Sequence, residues 1–329
     1  MKQDHIDIDS LSDFSVPWCI HVAATLRIAD RIAGGSNEIH ALARAAGCDT
    51  YALHRLLTTL AMRGIFMEGP PGHFALNDAA RGLLDPMRRT MLDLEDLGGR
   101  FAYAWTTLLK YVRTGQPAYQ DVFGRSFWDD LDANPRLRES FDRLIGPEGH
   151  GTPRADFDIE GGWNAVHSVA DVGGGTGAML AEILKAHPHL RGILVDLPTP
   201  TASSAKIFTA AGVSERVTTA AQSFFEPLPG GADLYILRGI INDWPDAEAA
   251  AILRRCADAA RPSGRVIVLK SVGPNDEPAG LAIEMILLGG KHRSLSAFRT
   301  LASEAGLAVV AAGAQPSGMY VVECRPVPI

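Results

Sequence analysis

Cysteine is scarce in this chain. Its four cysteines, Cys19, Cys48, Cys256 and Cys324, lie far apart and form no C-x-x-C pair. That spacing indicates neither a zinc site nor a disulfide framework, and reduced thiols of a cytoplasmic protein are the simple reading. Long apolar runs are missing too: no stretch approaches the ~20 residues a membrane-spanning helix needs. The opening residues, MKQDHIDIDS, have neither the basic nor the apolar region of a signal peptide. Excess positive charge is also absent. Lys and Arg number 31 against 38 Asp and Glu, a net charge of -7, which speaks against a nucleic-acid partner.

What is present reads as a globular chain of two halves. The composition is 47% hydrophobic and 21% charged, and 329 residues allow two domains of ordinary size. The first half has helical spacing. "VPWCIHVAATLRIADRIA" predicts one helix ended by Gly34-Gly35. "EIHALARAAGCDTYALHRLLTTLAMRGIF" predicts helix, turn at Gly47 and helix, with Asp49 or Thr50 as cap and Gly64 as stop. "IFMEGPPGHFAL" then predicts a hairpin, which completes a winged-helix pattern. A DNA-binding regulator is the second class this pattern raises. Only His54, Arg55 and Arg63 lie on the candidate recognition helix, too few for a groove reader. Residues 92 to 145 read as further helices with an aromatic stripe: Phe101, Tyr103, Trp105, Tyr111, Phe127, Trp128 and Phe141. Each suits a core, and the set suits a wall for a flat aromatic substrate. "GPEGHGTPRADFD" reads as a linker.

The second half alternates strand and helix from "SVADVG" to "RVIVLK", then ends in two strand candidates, "LAVVAA" and "MYVVEC". The expected fold is α/β: a Rossmann-like, doubly wound and mostly parallel sheet with a terminal antiparallel hairpin. Between its first strand and helix lies "VADVGGGTGAML". Gly173, Gly174, Gly175 and Gly177 let the backbone turn tightly beside a ligand, and residues 173 to 178 also fit a dinucleotide fingerprint. Asp171 helps to choose. A carboxylate there repels a pyrophosphate and attracts an ammonium group, such as that of S-adenosylmethionine (SAM). Asp196, roughly 20 residues past the glycines, suits ribose hydroxyls of either ligand.

The motifs "DVGGGTG", "ILVDLP", "SFFEPLP", "DWPDAEAAAILRRC" and "GGKHRSLSAFRTLASEAGL" occur in the order found in SAM-dependent small-molecule O-methyltransferases. The chain resembles that family over nearly its whole length, in the plant caffeic acid class and more closely in the bacterial anthracycline and phenazine class. The resemblance implies three regions: a winged-helix-like dimerisation domain over 1–90, a helical substrate lid and linker over 91–155, and the SAM-binding domain over 156–329. It implies a homodimer acting on a small aromatic or polycyclic substrate, with S-adenosyl-L-homocysteine as product, and no nucleic acid or membrane as partner. Gly173 and Gly175 would line the methionine part of SAM, with Asp171 at the edge and Asp196 on the ribose. Leu197 would pack on the adenine, Ser223 and Phe224 would flank it, Arg238 would stand near the cofactor, and Trp244 would cover the adenine side.

The chain leaves the family pattern at three points. Caffeic acid-type members carry His-Asp-Trp where this chain has Asn242, Asp243 and Trp244, and that His is their base. Asn242 can orient a hydroxyl but accepts no proton near pH 7. Lys270 stands where a Glu steadies the base, and Ser223 where an Asp meets the adenine. The anthracycline branch shares the missing His. Catalysis then rests on holding the acceptor in line, which removes several kcal/mol from a bimolecular barrier. That branch also contains enzymes that bind SAM without transferring its methyl, acting as hydroxylases, decarboxylases or, in the wider fold, pericyclases, and N- or C-methylation is a further alternative. Candidate catalytic residues are Asn242, Asp243 and Lys270. Candidates for the substrate pocket are Trp105, Phe141, His150, Glu284 and His292.

Overall fold

The computed structural model describes residues 7–145, 155–274 and 283–328. His150 lies outside the described residues. The chain divides into two compact units: Met1–Tyr103 with Asn134–Phe141, and Ala104–Ala133 with Asp142–Ile329.

The first unit is helical. The expected helix at its start is broken in two, Ser15–Thr25 and Ile28–Ala33. Arg27 stands between them at φ 55, and the turn leaves Ile28 and Ala29 buried. A left-handed Arg costs about 1–2 kcal/mol and carries no sequence signal. Helices Ile39–Ala46 and Thr50–Met62 follow, with Gly47 left-handed between them. Asp49 caps the second, accepting from the Ala52 N–H at 2.8 Å. Strands β1 (Met67–Glu68) and β2 (Phe74–Ala75) pair antiparallel and supply the wing. Leu42, Leu57, Leu60, Phe66 and Phe74 close this unit's core.

The second unit is built on one seven-stranded sheet. Its strands are β3 (Ser168–Val172), β4 (Arg191–Asp196), β5 (Val217–Ala221), β6 (Leu234–Arg238), β7 (Arg265–Leu269), β10 (Leu307–Ala314) and β11 (Tyr320–Pro326). The order is β10-β11-β7-β6-β3-β4-β5, with the first five in sequence parallel and the last two antiparallel. A small parallel pair, β8 (Val272–Gly273) and β9 (Arg293–Ser294), lies beside it. The strands read as continuous apolar runs because both faces are covered. Tyr235, Leu237, Val266 and Val268 join the core on one face, with Ile252, Leu253 and Cys256 of helix Asp246–Ala260. Leu234, Ile236, Ile267 and Leu269 alternate onto the other, against Leu180, Ile183 and Leu184 of helix Ala178–Ala186. The direction of winding reverses between β3 and β6. Their carboxyl ends, which lead into the glycine loop and the Asn-Asp-Trp turn, therefore border the crevice where such sheets bind ligands. Among the described residues no helix is long and apolar enough to cross a membrane.

Candidate active site

The glycine loop is shaped by close approach on one side and left open on the other. Gly173 is left-handed (φ 72), and a Cβ there would stand 2.5 Å from Ile240 of the neighbouring turn. A Cβ on Gly174 would meet Asp171 and Leu194 at 2.6 Å. At Gly175 (φ 59) it would meet nothing within 4 Å, so this backbone faces open space. The Gly175 N–H donates to Asp196 Oδ2 at 2.7 Å, and the Leu197 N–H donates to Asp196 Oδ1 at 2.7 Å. Asp196 thus ties the glycine loop to the end of β4.

Asp171 is the unmet charge of this loop. It is 1% exposed, and its Oδ2 is buried without a hydrogen-bond partner. Burial, then the nearby Asp196, push its carboxyl up to about 7, opposed by Arg238 and the Leu180 backbone N–H. Arg238, at the end of β6, also has a buried Nε with no partner. A buried carboxylate oxygen and a buried guanidinium Nε, each without a partner, are costly to keep. A ligand bearing both an ammonium and a carboxylate, as SAM does, would relieve both, so the residues present fit it.

Aromatic rings occupy the adjoining end of β5 and the Asn-Asp-Trp turn. Trp244 stacks on Trp128 with centroids 5.4 Å apart and stands edge-on to Phe224 at 5.9 Å and Phe225 at 5.0 Å. Of the aromatic stripe, Phe127 and Phe141 are buried, the latter in the first unit, whereas Trp105 is 41% exposed. The turn Trp105–Thr107 lies beside helix Ile283–Leu287, which carries the half-buried Glu284. Ser223 stands just before Phe224 and Phe225. Its hydroxyl accepts from the Phe225 N–H at 3.2 Å and so shapes the local turn.

The acceptor side centres on Asn242, within the short helical turn Ile241–Asp243. Its Nδ2 donates to Asp243 Oδ1 at 2.9 Å, and Ser271 Oγ donates to its Oδ1 at 2.7 Å. Both amide groups are spoken for, which locks the side chain's orientation. Asp243 is half-buried, and burial pushes its carboxyl up to about 7. Lys270, expected to take the place of the steadying acid, does not meet Asn242. It lies just past β7 at φ 58 with an exposed side chain. Burial of its surroundings and the Arg238 charge hold its ammonium below the usual lysine range. The left-handed turn at Lys270 sends the next residue, Ser271, inward, where it is 0% exposed and reaches Asn242.

Arg293 holds the turn from beneath. Only 2% exposed, it donates to the carbonyls of Ile241 (2.6 Å) and Trp244 (2.8 Å) and pairs with Asp246 at 2.9 Å. The Lys291 N–H donates to the Asn242 carbonyl at 2.8 Å. His292, between these two residues, has a buried Nε2 with no partner. Burial and Arg293 hold its imidazole below the ordinary histidine value. Ser271 and Arg293 are the residues sequence reasoning passed over. Neither carries a local signal: Arg293 is flanked by His292 and Ser294, and Ser271 by Lys270 and Val272.

Residues 105–308 match the model of an O-methyltransferase domain, and residues 8–86 that of an O-methyltransferase dimerisation domain. The chain belongs to the O-methyltransferase family. This methyltransferase is SAM-dependent. It is 40% identical over 319 residues to the 2,7-dihydroxy-5-methyl-1-naphthoate 7-O-methyltransferase of Streptomyces carzinostaticus, covering 94% of each chain. It is 36% identical to the aclacinomycin 10-hydroxylase of Streptomyces purpurascens, covering 92% of this chain and 84% of that one. A crystal structure of an O-methyltransferase from neocarzinostatin biosynthesis, in complex with SAM and 2-hydroxy-5-methyl naphthoic acid, superposes with a TM-score of 0.80. It shares 38% identity, and the match covers 98% of this chain and 100% of that one.

Proposed function

We propose that this methyltransferase transfers a methyl group to a phenolic hydroxyl of a bicyclic aromatic acid of the hydroxynaphthoate kind. The observation that carries the reading is the 40% identity, across 94% of both chains, to an enzyme named for that substrate class. SAM supplies an electrophilic methyl group when bound. Asp171 takes its ammonium, Arg238 its carboxylate, and the backbone at Gly173 and Gly175 lines the methionine part. Asp196 exchanges its loop N–H contacts for ribose hydroxyls. Leu197, Ser223, Phe224 and Trp244 enclose the adenine. Asn242, held by Ser271 and Asp243, positions the acceptor oxygen, and such alignment is worth several kcal/mol.

The enzyme works as a homodimer through its first unit. Ile8, Leu11, Phe14 and Met62 of that unit are more than two-thirds exposed, a run of apolar surface that a second copy would cover. A second reading, oxygen transfer without methylation, draws on the 36% identity to a 10-hydroxylase. Mass spectrometry of the purified enzyme with SAM and 2,7-dihydroxy-5-methyl-1-naphthoate separates the two. A product heavier by one methyl, with S-adenosylhomocysteine rising in step, is expected. Oxygen gain with SAM unspent would replace the reading with the second.

A further inference from the structure

We propose that His292 is the proton acceptor of this enzyme, taking the acceptor hydroxyl's proton on Nε2. The assignment rests on the methylation reading above for its substrate and on three independent observations for its place.

The first is register. β8 and β9 pair in parallel, Val272 opposite Arg293 and Gly273 opposite Ser294. Ser271 and His292 each stand one residue before this pair. His292 thus enters the pair beside the segment of Ser271, whose hydroxyl meets Asn242 at 2.7 Å. The second is the tether. The Lys291 N–H holds the Asn242 carbonyl at 2.8 Å, and Arg293 holds the carbonyls on either side of the turn. His292 sits between two residues that are fastened to the acceptor turn and cannot drift from it. The third is the open valence. Nε2 is buried without a partner, an unfavourable arrangement until a donor completes it.

The surrounding charges keep the ring a base. Burial and the Arg293 guanidinium favour the neutral imidazole. Asp246, the acid below the turn, is already engaged by Lys291 and Arg293. Asp243 is directed to Asn242 Nδ2, and Lys270 is exposed beyond β7. In the reaction the acceptor O–H bond breaks and its proton passes to Nε2. The electron pair left on oxygen forms the new oxygen–carbon bond, and the pair of the methyl–sulfur bond remains on sulfur. The imidazolium returns its proton to water once the product has gone. Asn242 orients the hydroxyl, and His292 deprotonates it.

The test uses the whole enzyme with 2,7-dihydroxy-5-methyl-1-naphthoate as probe, in the wild type, His292→Gln and Asp243→Asn. Two readouts are taken: the pH at which the bound probe shows phenolate absorbance with no SAM present, and kcat against pH with SAM. His292→Gln is expected to move phenolate formation upward by at least one pH unit. It is also expected to lower kcat at pH 7 by about 100-fold, while the Kd for SAM stays unchanged. Retention of both by His292→Gln, or their loss in Asp243→Asn alone, overturns the assignment. If His292→Gln does not fold, the imidazole resonance of His292 in the wild type decides. A shift on adding the probe supports the contact, and an unmoved resonance overturns it. If the wild type spends no SAM on the probe yet His292→Gln still moves its ionisation, the substrate reading fails and the proton acceptor stands.

Discussion

From Val172 to Gly177 the backbone turns on its own glycines and faces open space at Gly175, whereas from Ile240 to Asp246 side chains from elsewhere hold the backbone in place. The two segments follow adjacent strands of one sheet and touch where Gly173 meets Ile240. On the glycine-loop side Asp171, the glycines, Asp196 and Leu197 come from one stretch, a single strand–loop–helix–strand unit. Its cost is the buried Asp171 carboxyl, met by the Leu180 N–H and the Arg238 charge but with Oδ2 unbonded. On the acceptor side Asn242 depends on Ser271, Lys291 and Arg293, which arrive from strands 29 to 51 residues away. Few polar atoms are left open there, and His292 Nε2 is one of them. The contrast separates a surface built to receive a charge from one built to hold an angle.

Substitutions can break that contrast in order of size. Arg293→Ala leaves Asp246 and the Ile241 and Trp244 carbonyls without their buried donor. Its expected cost is about 3–5 kcal/mol, read from the urea unfolding midpoint. A change below ~1 kcal/mol would mean the turn holds itself.

Asp171→Asn comes next and acts on the other side. The Kd for SAM, measured by calorimetry, should rise about 30-fold or more. The same variant reverses a pH effect in the ligand-free enzyme. Asp171 keeps its proton up to about 7 in the folded state, whereas the unfolded chain loses it near 4. The folded state therefore binds more protons across that window, and wild-type stability falls as pH rises from about 4 to about 7. Asp171→Asn should match the wild type at pH 4 and exceed its Tm at pH 8. Equal Tm values at pH 8 would show that the carboxyl is not strained.

Ser271→Ala is the smallest and sharpens the comparison most. It frees Asn242 Oδ1 at a cost of about 1–3 kcal/mol. A kcat lowered roughly tenfold with an unchanged Kd for SAM is expected. Equal losses in both would join the two sides that the structure keeps apart.

How much of this was legible follows the same line. The seven strands, the hairpin wing and the Asp49 cap were read from periodicity, glycines and cap residues, all local signals. The break at Arg27 was not, because an arginine carries no mark of a left-handed turn. Lys270 stands in sequence where the family's steadying Glu does, yet its exposed side chain does not meet Asn242. The left-handed backbone at Lys270 moves that role one residue on, to Ser271.

The sequence by itself determined the doubly wound sheet, the glycine loop with Asp171 just before it, and the family to which the chain belongs. These depend on neighbours within about one strand–helix unit, where residue type sets backbone conformation directly. Only the tertiary structure decided what holds Asn242 and where His292 stands. Those contacts join segments that the chain keeps far apart, and their geometry exists only after the sheet has brought the ends of β6, β7 and β9 together.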